Sequence, residues 1–441
     1  KLLRNQQQGE YMSELINMKQ ASEWYVLLTN IKGDEVDITT TIQQLSVYES
    51  IYNNSMFGTL IIEDDTGFIE TLGLIGSGEE TIEVFIETPN ASENMETNNI
   101  EKVFVINSLT NVNRVLDGTG KTTFSLGFVS PYLVKNNTTK ISRSFNAMTS
   151  SEIVEYTALD ILEIGGDDNF DFSSLVTNTP TKYTKNIVVP NWKPFDLMNF
   201  LAKNSISVDG NSNYIFFENN EGFHFTTIED LKQQEIIRMI TVNGTNDAGN
   251  KQGGIGEILI EGNNAESYDE LTRFDISSGT SNGMYGGRMV AHNILTKSVE
   301  TYDITNTPKG SKLGDVGFGD VFRKDQEPSS HIGYMSSNYL YDVHDKEERS
   351  HYPLYDMKIS ELRSNLIKLT LPGDTNVFAG NTFELLLPST SHDSQEMDRY
   401  MSGNYFITAI HHKINSSGYE MTMECSKDGF DFELDESTME Q

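Results

Sequence analysis

The sequence has one cysteine, two tryptophans and no long hydrophobic run. A lone cysteine, Cys425, excludes an intrachain disulfide framework and a metal site built from clustered cysteines. The longest apolar stretches are like residues 383–387, far short of the roughly 18 to 20 residues of a membrane span. No apolar core follows the basic residues in 1–20, so we expect neither a signal peptide nor a membrane span.

Basic residues are also scarce. The chain has 32 lysines and arginines against 65 acids, a formal net charge of −33. Such a chain repels nucleic acid and anionic membranes, so stable binding to either is not expected. With 37% hydrophobic and 22% charged residues, the composition supports a packed core and excludes wholesale disorder. At roughly one domain per 150 residues, 441 residues predict about three domains.

The opening third has the pattern of β-strands. Short runs rich in Val, Ile, Thr, Phe and Tyr alternate with Asn, Gly and Asp, which favour turns. These runs lie at 24–30, 36–49, 56–63, 81–88, 102–109 and 122–130. We predict a first β domain over 20–142, preceded by an N-terminal extension at 1–19.

The next segment, 143–250, mixes helix and strand signals. Thr149 and Glu152 have the spacing of a capping box and predict a helix over 149–163. Pro194 suits the first position of a second helix, where no amide donor is needed. A hairpin follows, with strands at 214–218 and 223–227. We predict a mixed α+β domain here.

The remainder is divided by composition. Residues 251–304 regain strand character and are expected to enter a second β domain. Residues 305–356 are long and polar, which predicts an inserted surface element instead of a structureless loop. Strand signals resume over 357–430, the predicted second β domain. Residues 431–441 have five acids and no base, which predicts a frayed tail.

The two ends of the chain look alike. Gly78–Pro89 reads GEETIEVFIETP, and Gly380–Pro388 reads GNTFELLLP. Phe104 and Phe406 follow these glycines at the same distance (104 − 78 and 406 − 380 both equal 26), and each segment then enters a hairpin. Strands separated by turns resemble each other by chance, but the matched spacing favours two copies of one β module.

Motifs for phosphate and metal binding are incomplete. Residues 118–122 contain a GKT triplet, but Val115 replaces a required glycine and a strand pattern follows, so we predict a hairpin turn. Asp209, Asn211 and Asn213 open like a calcium loop whose glycine and closing glutamate are missing, which again predicts a turn. Two histidine pairs remain, and neither has metal-ligand spacing: His411 with His412, whose side chains should point to opposite faces of a strand, and His344 with His351.

Signals for catalysis are equally weak. Adjacent acids such as Asp64 with Asp65, or Asp167 with Asp168, are expected in a chain with 65 acids. No GxSxG motif is present, and Cys425 lies in a strand pattern that predicts a small buried residue. We therefore predict no catalytic, cofactor-binding or metal-binding residue. The middle of the chain is rich in aromatic residues, which favour a domain core over a sugar-binding platform. These are Trp192, Phe195, Phe200, Tyr214, Phe216, Phe217, Phe223 and Phe225.

The succession of segments resembles the central baseplate hub proteins of contractile-tailed bacteriophages, of the T-even hub type. It is also similar to the N-terminal hub half of the type VI secretion spike. The segments that carry the resemblance are NWKPFDLMNFLAK (191–203), NYIFFENNEGFHF (213–225), LPGDTNVFAGNTFELLLP (371–388) and GNYFITAIHHKINSSGYEMTMEC (403–425). Residues 305–356 are longer than the family pattern and have no match in it.

This resemblance implies a mainly β fold with an α+β middle. Two tail-tube-like β-barrel domains would flank the mixed domain, with an insertion in the second barrel region, and three chains would form a ring-shaped homotrimer. Three chains with two similar modules each present six similar modules to a neighbour. The resemblance implies a structural role and no enzymatic activity.

In that role the trimer would adapt a six-fold tail tube to a three-fold spike and leave a central passage for DNA. Its partners would be further copies of itself, the tail tube ring, a spike or cell-puncturing protein on a separate polypeptide, and other baseplate proteins. Its location would be the tail baseplate of the virion, after assembly in the host cytoplasm. The acidic charge fits a channel that does not hold DNA, or ordinary solubility. Two alternatives stay open: a tail-associated glycan-binding adhesin and a carboxylate-dependent glycan hydrolase.

Overall fold

The computed structural model describes residues 23–65, 67, 76–88, 99–114, 121–165, 174–242, 264–273, 275–282, 284, 286–293, 297–305, 316–317, 331–336, 346–389, 397–398 and 400–430. The predicted extension at 1–19 and the predicted tail at 431–441 lie outside these residues. Most of the described chain is in strands, and its largest sheet has 13 of them.

The first part of the chain is an antiparallel sheet around one core. Its strands are β1 (Glu23–Thr29), β2 (Glu35–Asp37), β3 (Ile42–Ser50), β4 (Phe57–Asp64), β5 (Thr81–Glu87), β6 (Ile100–Arg114) and β7 (Thr122–Val129). They are hydrogen-bonded in the order β3-β4-β7-β6-β5-β1-β2. Alternate residues of six of these strands are buried in a single hydrophobic core, as the period of two in the sequence predicts.

One predicted strand is wrong as a single element. The run 36–49 is divided by a 3-10 turn at Thr39–Thr41. The Asp37 side chain accepts a hydrogen bond from the Thr39 N–H at 2.9 Å, and the Thr39 hydroxyl accepts one from the Val26 N–H at 2.9 Å. Short polar side chains that bond nearby backbone in this way interrupt a ladder.

The middle of the chain combines helices with two small sheets. Its elements are α1 (Pro131–Thr138), β8 (Ile141–Thr149), α2 (Ser150–Tyr156), β9 (Leu175–Asn178), β10 (Thr184–Trp192), α3 (Pro194–Lys203), β11 (Tyr214–Glu218), β12 (Phe223–Thr227) and α4 (Ile228–Lys232). The capping box is confirmed, because Thr149 and Glu152 each accept from the other's backbone N–H. The helix is shorter than predicted and continues as a π-helical turn at Thr157–Ile161. Pro194 begins α3, and the predicted hairpin is β11 with β12.

The last part of the chain returns to strands. Its elements are β13 (Ile236–Thr241), β14 (Ser267–Thr272), α5 (Ile276–Ser281), β15 (Gly286–Asn293), β16 (Ser298–Thr305), β17 (Val316–Gly317), β18 (His331–Ser336), α6 (Lys346–Leu362), β19 (Leu366–Pro372), β20 (Thr382–Leu386), β21 (Gly403–Asn415), β22 (Gly418–Ser426) and β23 (Gly429–Phe430). Six of them are ordered β14-β19-β22-β21-β20-β13 around a second core.

Five elements do not follow the ranges expected from the sequence. α6 crosses the boundary between 356 and 357, because Met357, Glu361 and Leu362 are buried at helical spacing. β13, from the predicted mixed domain, joins β20 in the large sheet. Of the strands in 251–304, β14 joins that sheet, whereas β15 and β16 form a separate sheet with β18 from the predicted insertion.

The two β parts share one strand order. β3, β4, β7, β6, β5 and β1 correspond to β14, β19, β22, β21, β20 and β13. The pair Ile82 with Phe104 matches Phe383 with Tyr405 at a constant shift (383 − 82 and 405 − 104 both equal 301). The same shift relates the bulge after Ile106 in β6 to the bulge after Ile407 in β21. The last pair differs, since β1 is antiparallel to β5 and β13 is parallel to β20.

The structural shift corrects the sequence comparison by one residue. Aligning Gly78 with Gly380 matches Phe104 with Phe406, whereas the ladders match Phe104 with Tyr405. Both glycines have positive φ, 86° and 102°, so they mark turns instead of positions in a ladder. A slip of one residue exchanges the two faces of a strand, and the ladders therefore decide the alignment.

The loop before β5 and the loop before β20 are closed in the same way. The Glu80 carbonyl accepts from the Ile106 N–H, and the Asn381 carbonyl from the Ile407 N–H, both at 2.9 Å. The Glu80 carboxylate accepts from the Ser77 N–H at 3.2 Å, and the Asn381 amide oxygen accepts from the Phe378 N–H at 2.9 Å. The shift of 301 relates each pair, so one copy has a carboxylate where the other has an amide.

This difference predicts a pH effect for Glu80→Gln. Burial disfavours the Glu80 carboxylate, but hydrogen bonds from Ser77 and Gly78 outweigh it and lower its pKa to about 2. Because the folded pKa lies below the unfolded value of about 4.3, the carboxylate stabilises the fold above pH 4.3, and this contribution is lost as the pH falls toward 2. We expect the variant to lose about 1 kcal/mol at pH 7, less than the pKa shift alone would give, because residues 76–79 around the carboxylate are exposed and solvent screens its charge.

Urea unfolding at pH 7 and pH 3, followed by fluorescence in a Trp192→Phe background that leaves Trp24 as the reporter, measures this effect. The difference between variant and wild type should shrink at the lower pH, because the wild type has then begun to lose the carboxylate's contribution. Glu79→Gln, at the exposed neighbouring residue, is the matched control and should behave as the wild type. An equal deficit of Glu80→Gln at both pH values would show that the carboxylate charge is not the cause.

Candidate assembly site

The two β parts are joined edge to edge within the chain. β21 pairs with β22 along one edge; along the other it pairs with β20 at its start and with β3 from Ala409 to Asn415. In the antiparallel ladder with β3, His411 lies opposite Tyr48 and Ile414 opposite Leu45. The 13-stranded sheet is therefore continuous through both parts.

Side chains reinforce this junction. Ile414 and Tyr419 of the second part lie in the hydrophobic core of the first. The rings of His411 and Tyr48 stack with centroids 4.3 Å apart, and Tyr48 also stacks on Phe57 at 5.0 Å. The junction is thus packed as well as hydrogen-bonded.

A buried polar cluster adjoins the junction and contains side chains from all three parts of the chain. Its members are each at most 4% exposed, and several carry charge. They are Glu49 of β3, Lys102 of β6, Glu218 of β11, His224 of β12, His412 of β21 and Tyr419 of β22. Buried charged groups are unfavourable unless they have partners, so their contacts decide what the cluster does.

Glu49 connects the three parts directly. Its carboxylate accepts hydrogen bonds from His412 Nε2 and from the Asn220 N–H, each at 3.1 Å. The Tyr419 hydroxyl lies 2.9 Å from His412 Nδ1, and burial raises the pKa of this tyrosine well above its usual value. The Glu49 side chain of the first part is thereby hydrogen-bonded to both the middle and the last part.

Glu218 makes a similar connection from the middle. Its carboxylate accepts from the Met56 N–H at 3.0 Å and from the Ser130 hydroxyl at 3.2 Å. Burial lowers the pKa of Lys102, and the charges of Glu218 and Glu49 oppose that shift. Burial and the Lys102 charge lower the pKa of His224 to about 4, so its ring is neutral at pH 7. The arrangement joins the three parts of the chain, and its side chains are buried among the described residues.

The described residues include one of the two histidine pairs and parts of both predicted turns. His411 and His412 lie on opposite faces of β21, as predicted, and His412 belongs to the polar cluster. Residues 207–211 form a turn in which the Asn211 N–H donates to the Ser207 hydroxyl at 3.0 Å. β7 begins at Thr122, the last residue of the GKT triplet, so the triplet leads into a strand and not into a helix. Lys121, just before β7, contacts Glu63 at 2.5 Å. His344, Gly118, Asp167 and Asp168 lie outside the described residues, as does the His351 side chain.

The aromatic residues of the middle part form its core, as predicted. Tyr214, Phe223 and Phe225 are fully buried, and Trp192 and Phe200 pack against the same cluster. Phe217 is buried in a neighbouring cluster, with its ring stacked on His224. Cys425 is a buried free thiol whose pKa is raised by burial, also as predicted.

Two clefts lined by described residues differ in the acids that they contain. The larger, of about 610 Å³ between the first and middle parts, has Asp196 as the one acid among its described lining residues. A second cleft, of about 330 Å³, has Asp275 and Asp356. Hydrogen bonds from Ser278 lower the pKa of Asp275, whereas the general acid of a glycosidase needs a raised one.

The described part of the chain lacks two further features. No group of three or more His, Cys, Asp or Glu side chains is arranged to hold a metal ion. No helix there combines the length and apolar character needed to cross a membrane.

Comparison with known proteins finds similarity along nearly the whole chain. No family model matches. The "Probable baseplate hub protein gp334" of Vibrio phage KVP40 is 20% identical over 434 residues, which cover 95% of this chain and 97% of that protein. A 43 kDa tail protein of prophage MuSo2 from Shewanella oneidensis is similar in structure, with a TM-score of 0.56, 11% identity and coverage of 93% and 100% of the two chains.

A tail protein from Neisseria meningitidis MC58 has a similar fold as well. Its TM-score is 0.55 at 10% identity, with 92% of this chain and 97% of that chain covered. The resemblance to baseplate hub proteins predicted from the sequence is confirmed: a relative along the chain is a probable baseplate hub protein, and the structural neighbours are tail proteins.

Proposed function

We propose that this chain is the structural hub of a phage tail baseplate, in which three copies form a ring. The observation that carries the proposal is the repeated order of six strands, joined edge to edge by the ladder between β21 and β3. Three chains then supply six similar modules. One face of the ring can therefore match a six-fold partner, although the ring itself has three-fold symmetry. The name of the relative from Vibrio phage KVP40 supports the same role.

Each β part would be a tail-tube-like barrel, and the middle part would hold the two together through Glu49 and Glu218. In the ring, one face would receive the tail tube and the other a spike or cell-puncturing protein on a separate chain. Other baseplate proteins would attach to the outside. The hub would be part of the virion's tail baseplate, assembled in the host cytoplasm, and would perform no catalysis.

The ring would leave a central passage for DNA. The formal charge of −33 per chain supports a channel wall that repels the phosphate backbone. The electrostatic sign of the channel surface therefore tests this part of the proposal.

The mass of the purified chain in solution tests the proposed function. We expect three times the 49.6 kDa of one chain by sedimentation or mass photometry, and a cryo-EM map with a closed ring and an acidic channel. A chain that stays monomeric at every concentration would contradict the hub, and a neutral or basic channel would contradict the proposed role of the acidity.

A further inference from the structure

A lysine and an aspartate are buried against each other where the middle part meets the last part. Lys232 is the final residue of α4, and Asp428 lies between β22 and β23. Lys232 Nζ donates a hydrogen bond to Asp428 Oδ2, and the two side chains are only 2% and 1% exposed. Water therefore has almost no access to the amine or to the carboxyl group.

The burial of this pair has a chemical consequence. Two ions lose their hydration when they are buried, and their mutual attraction offsets that cost only when the geometry and the further hydrogen bonds are good. An amide between Lys232 Nζ and Asp428 Cγ would have no charge to bury. Groups that a structure holds in contact react with effective molarities of about 10⁵ to 10⁸ M in the most favourable geometries. The two groups are thus placed for condensation.

A third buried group lies on the same side of α4. Glu229 precedes Lys232 by three residues, a spacing that places two side chains on one face of a helix, and it is 2% exposed. Neither of its carboxyl oxygens has a hydrogen-bond partner among the described residues. Burial raises the pKa of Glu229, and the charges of Lys232 and Lys358 oppose the rise. Glu229 therefore keeps a proton to higher pH than an exposed glutamate does, and a proton held in this way can be passed to a reacting atom.

A neighbouring lysine remains charged. Lys358 Nζ contacts the Glu361 carboxylate at 3.0 Å and lies 3.9 Å from Glu229 Oε1. Burial lowers the pKa of Lys358, but the charges of nearby carboxylates, Glu361 foremost, outweigh it, so the pKa is raised. Lys358 also interacts electrostatically with Asp428. Its positive charge can therefore stabilise negative charge that develops on the Asp428 carboxyl group.

We propose that Lys232 and Asp428 form an intramolecular amide bond, with Glu229 as the group that transfers the protons. The Lys232 ammonium first passes one proton to the Asp428 carboxylate. The neutral amine then attacks Cγ of the protonated carboxyl group, and a C–N bond forms. Glu229 donates its proton to the departing hydroxyl group as the C–O bond breaks, and its carboxylate then takes a proton from the nitrogen. One water molecule leaves, Glu229 regains its proton, and no oxidant or cofactor is consumed.

This bond would tie the middle part covalently to the last part. Lys232 and Asp428 are 196 positions apart, so the bond closes a long loop of the chain. A cross-link that closes a long loop restricts the unfolded chain more than one that closes a short loop. The bond lies within one chain, and the proposal therefore does not depend on the number of copies in the ring.

The mass of the full-length chain under denaturing conditions tests the bond. We expect most of the wild-type protein to be lighter than its sequence mass by one water molecule. After trypsin digestion, one product should contain residues 204–238 joined to the peptide that begins at Asp428, with Lys232 uncleaved. A wild-type chain at its full sequence mass overturns the proposal, and this measurement needs no variant to fold.

Three variants assign the water loss to its residues. Lys232→Arg keeps a positive charge beside Asp428, but a guanidinium is not deprotonated in proteins and cannot attack, so this variant should have its full sequence mass. Glu229→Gln keeps the size of the side chain and should leave most chains unlinked, because loss of a proton-transfer group slows such a step about 10²- to 10⁴-fold. Lys358→Arg is the matched control, since it keeps the charge next to Glu361, and it should show the water loss of the wild type.

Each result supports or overturns a part of the proposal. Water loss in the wild type and in Lys358→Arg, but in neither of the other variants, supports the bond and the role of Glu229. Water loss that persists in Lys232→Arg comes from other residues and overturns the bond. Water loss that persists in Glu229→Gln overturns the role of Glu229.

Discussion

Replacing Glu49 by alanine is expected to lower the free energy of unfolding by about 2 to 5 kcal/mol, because each buried donor left without its acceptor costs about 1 to 3 kcal/mol. The change leaves His412 Nε2 and the Asn220 N–H without the acceptor that they now share. It also removes one of the two carboxylates, Glu218 and Glu49, whose charges oppose the lowering of the Lys102 pKa by burial. Since these groups belong to three parts of the chain, the loss should be felt in all of them.

The two tryptophans make that statement measurable. Trp24 packs against the first core and Trp192 against the middle core, so the variants Trp24→Phe and Trp192→Phe each leave one local reporter. In guanidinium unfolding, Glu49→Ala should shift both transitions to lower denaturant. Glu49→Gln, which keeps an acceptor oxygen of the same reach, should cost about 1 kcal/mol. A shift seen through Trp24 alone would show that Glu49 stabilises its own strand and does not join the parts.

Replacing Gly58 by alanine is expected to cost about 3 kcal/mol, at the upper end of the usual range for overpacking. A methyl group there would lie closer than 3.0 Å to the Phe128 ring and to the Ser46 carbonyl oxygen. The carbonyl belongs to the paired strand β3 and has no freedom to rotate away, so β3 and β4 would have to separate. β3 also forms the junction with β21, and the strain would therefore reach the second part.

Gly127→Ala is the matched control for Gly58→Ala. Gly127 lies on β7 opposite Thr59, the neighbour of Gly58, and its added methyl group would clash with the Ser108 hydroxyl alone. That hydroxyl can rotate, so we expect a cost of about 1 kcal/mol or less. Thermal unfolding by circular dichroism compares the two variants directly. Equal losses at both sites would show that the approach of β3 is not what requires glycine at position 58.

Much of the fold could be predicted from local signals. The strands of the first part, the capping box at Thr149 and the start of α3 at Pro194 all depend on residues within a few positions of one another. α6 was missed because its last turn, with Met357 and Ile359, alternates as a strand would, and only the burial of Glu361 and Leu362 reveals helical spacing. The sequence pattern also indicates the repeat, but aligning it by the turn glycines differs by one residue from the alignment of the strand ladders.

The polar cluster could not be predicted. Glu49, Lys102 and Glu218 each stand at the end or beginning of an apolar run, where a charged residue is normally exposed. Glu49 and His412 are separated by 363 positions, and only the pairing of β21 with β3 brings them together. The adjacent His411 and His412 are the one local signal, and the residues around them do not indicate which ring is buried.

The orientation of β13 has a consequence for the symmetry of the proposed ring. The inner strands of the two parts repeat closely, but β13 runs parallel to β20 where β1 runs antiparallel to β5. A neighbour that touches only the inner strands would meet nearly the same surface six times around the axis. A neighbour that reaches the β1 and β13 rim would meet two alternating surfaces and could recognise only every second position.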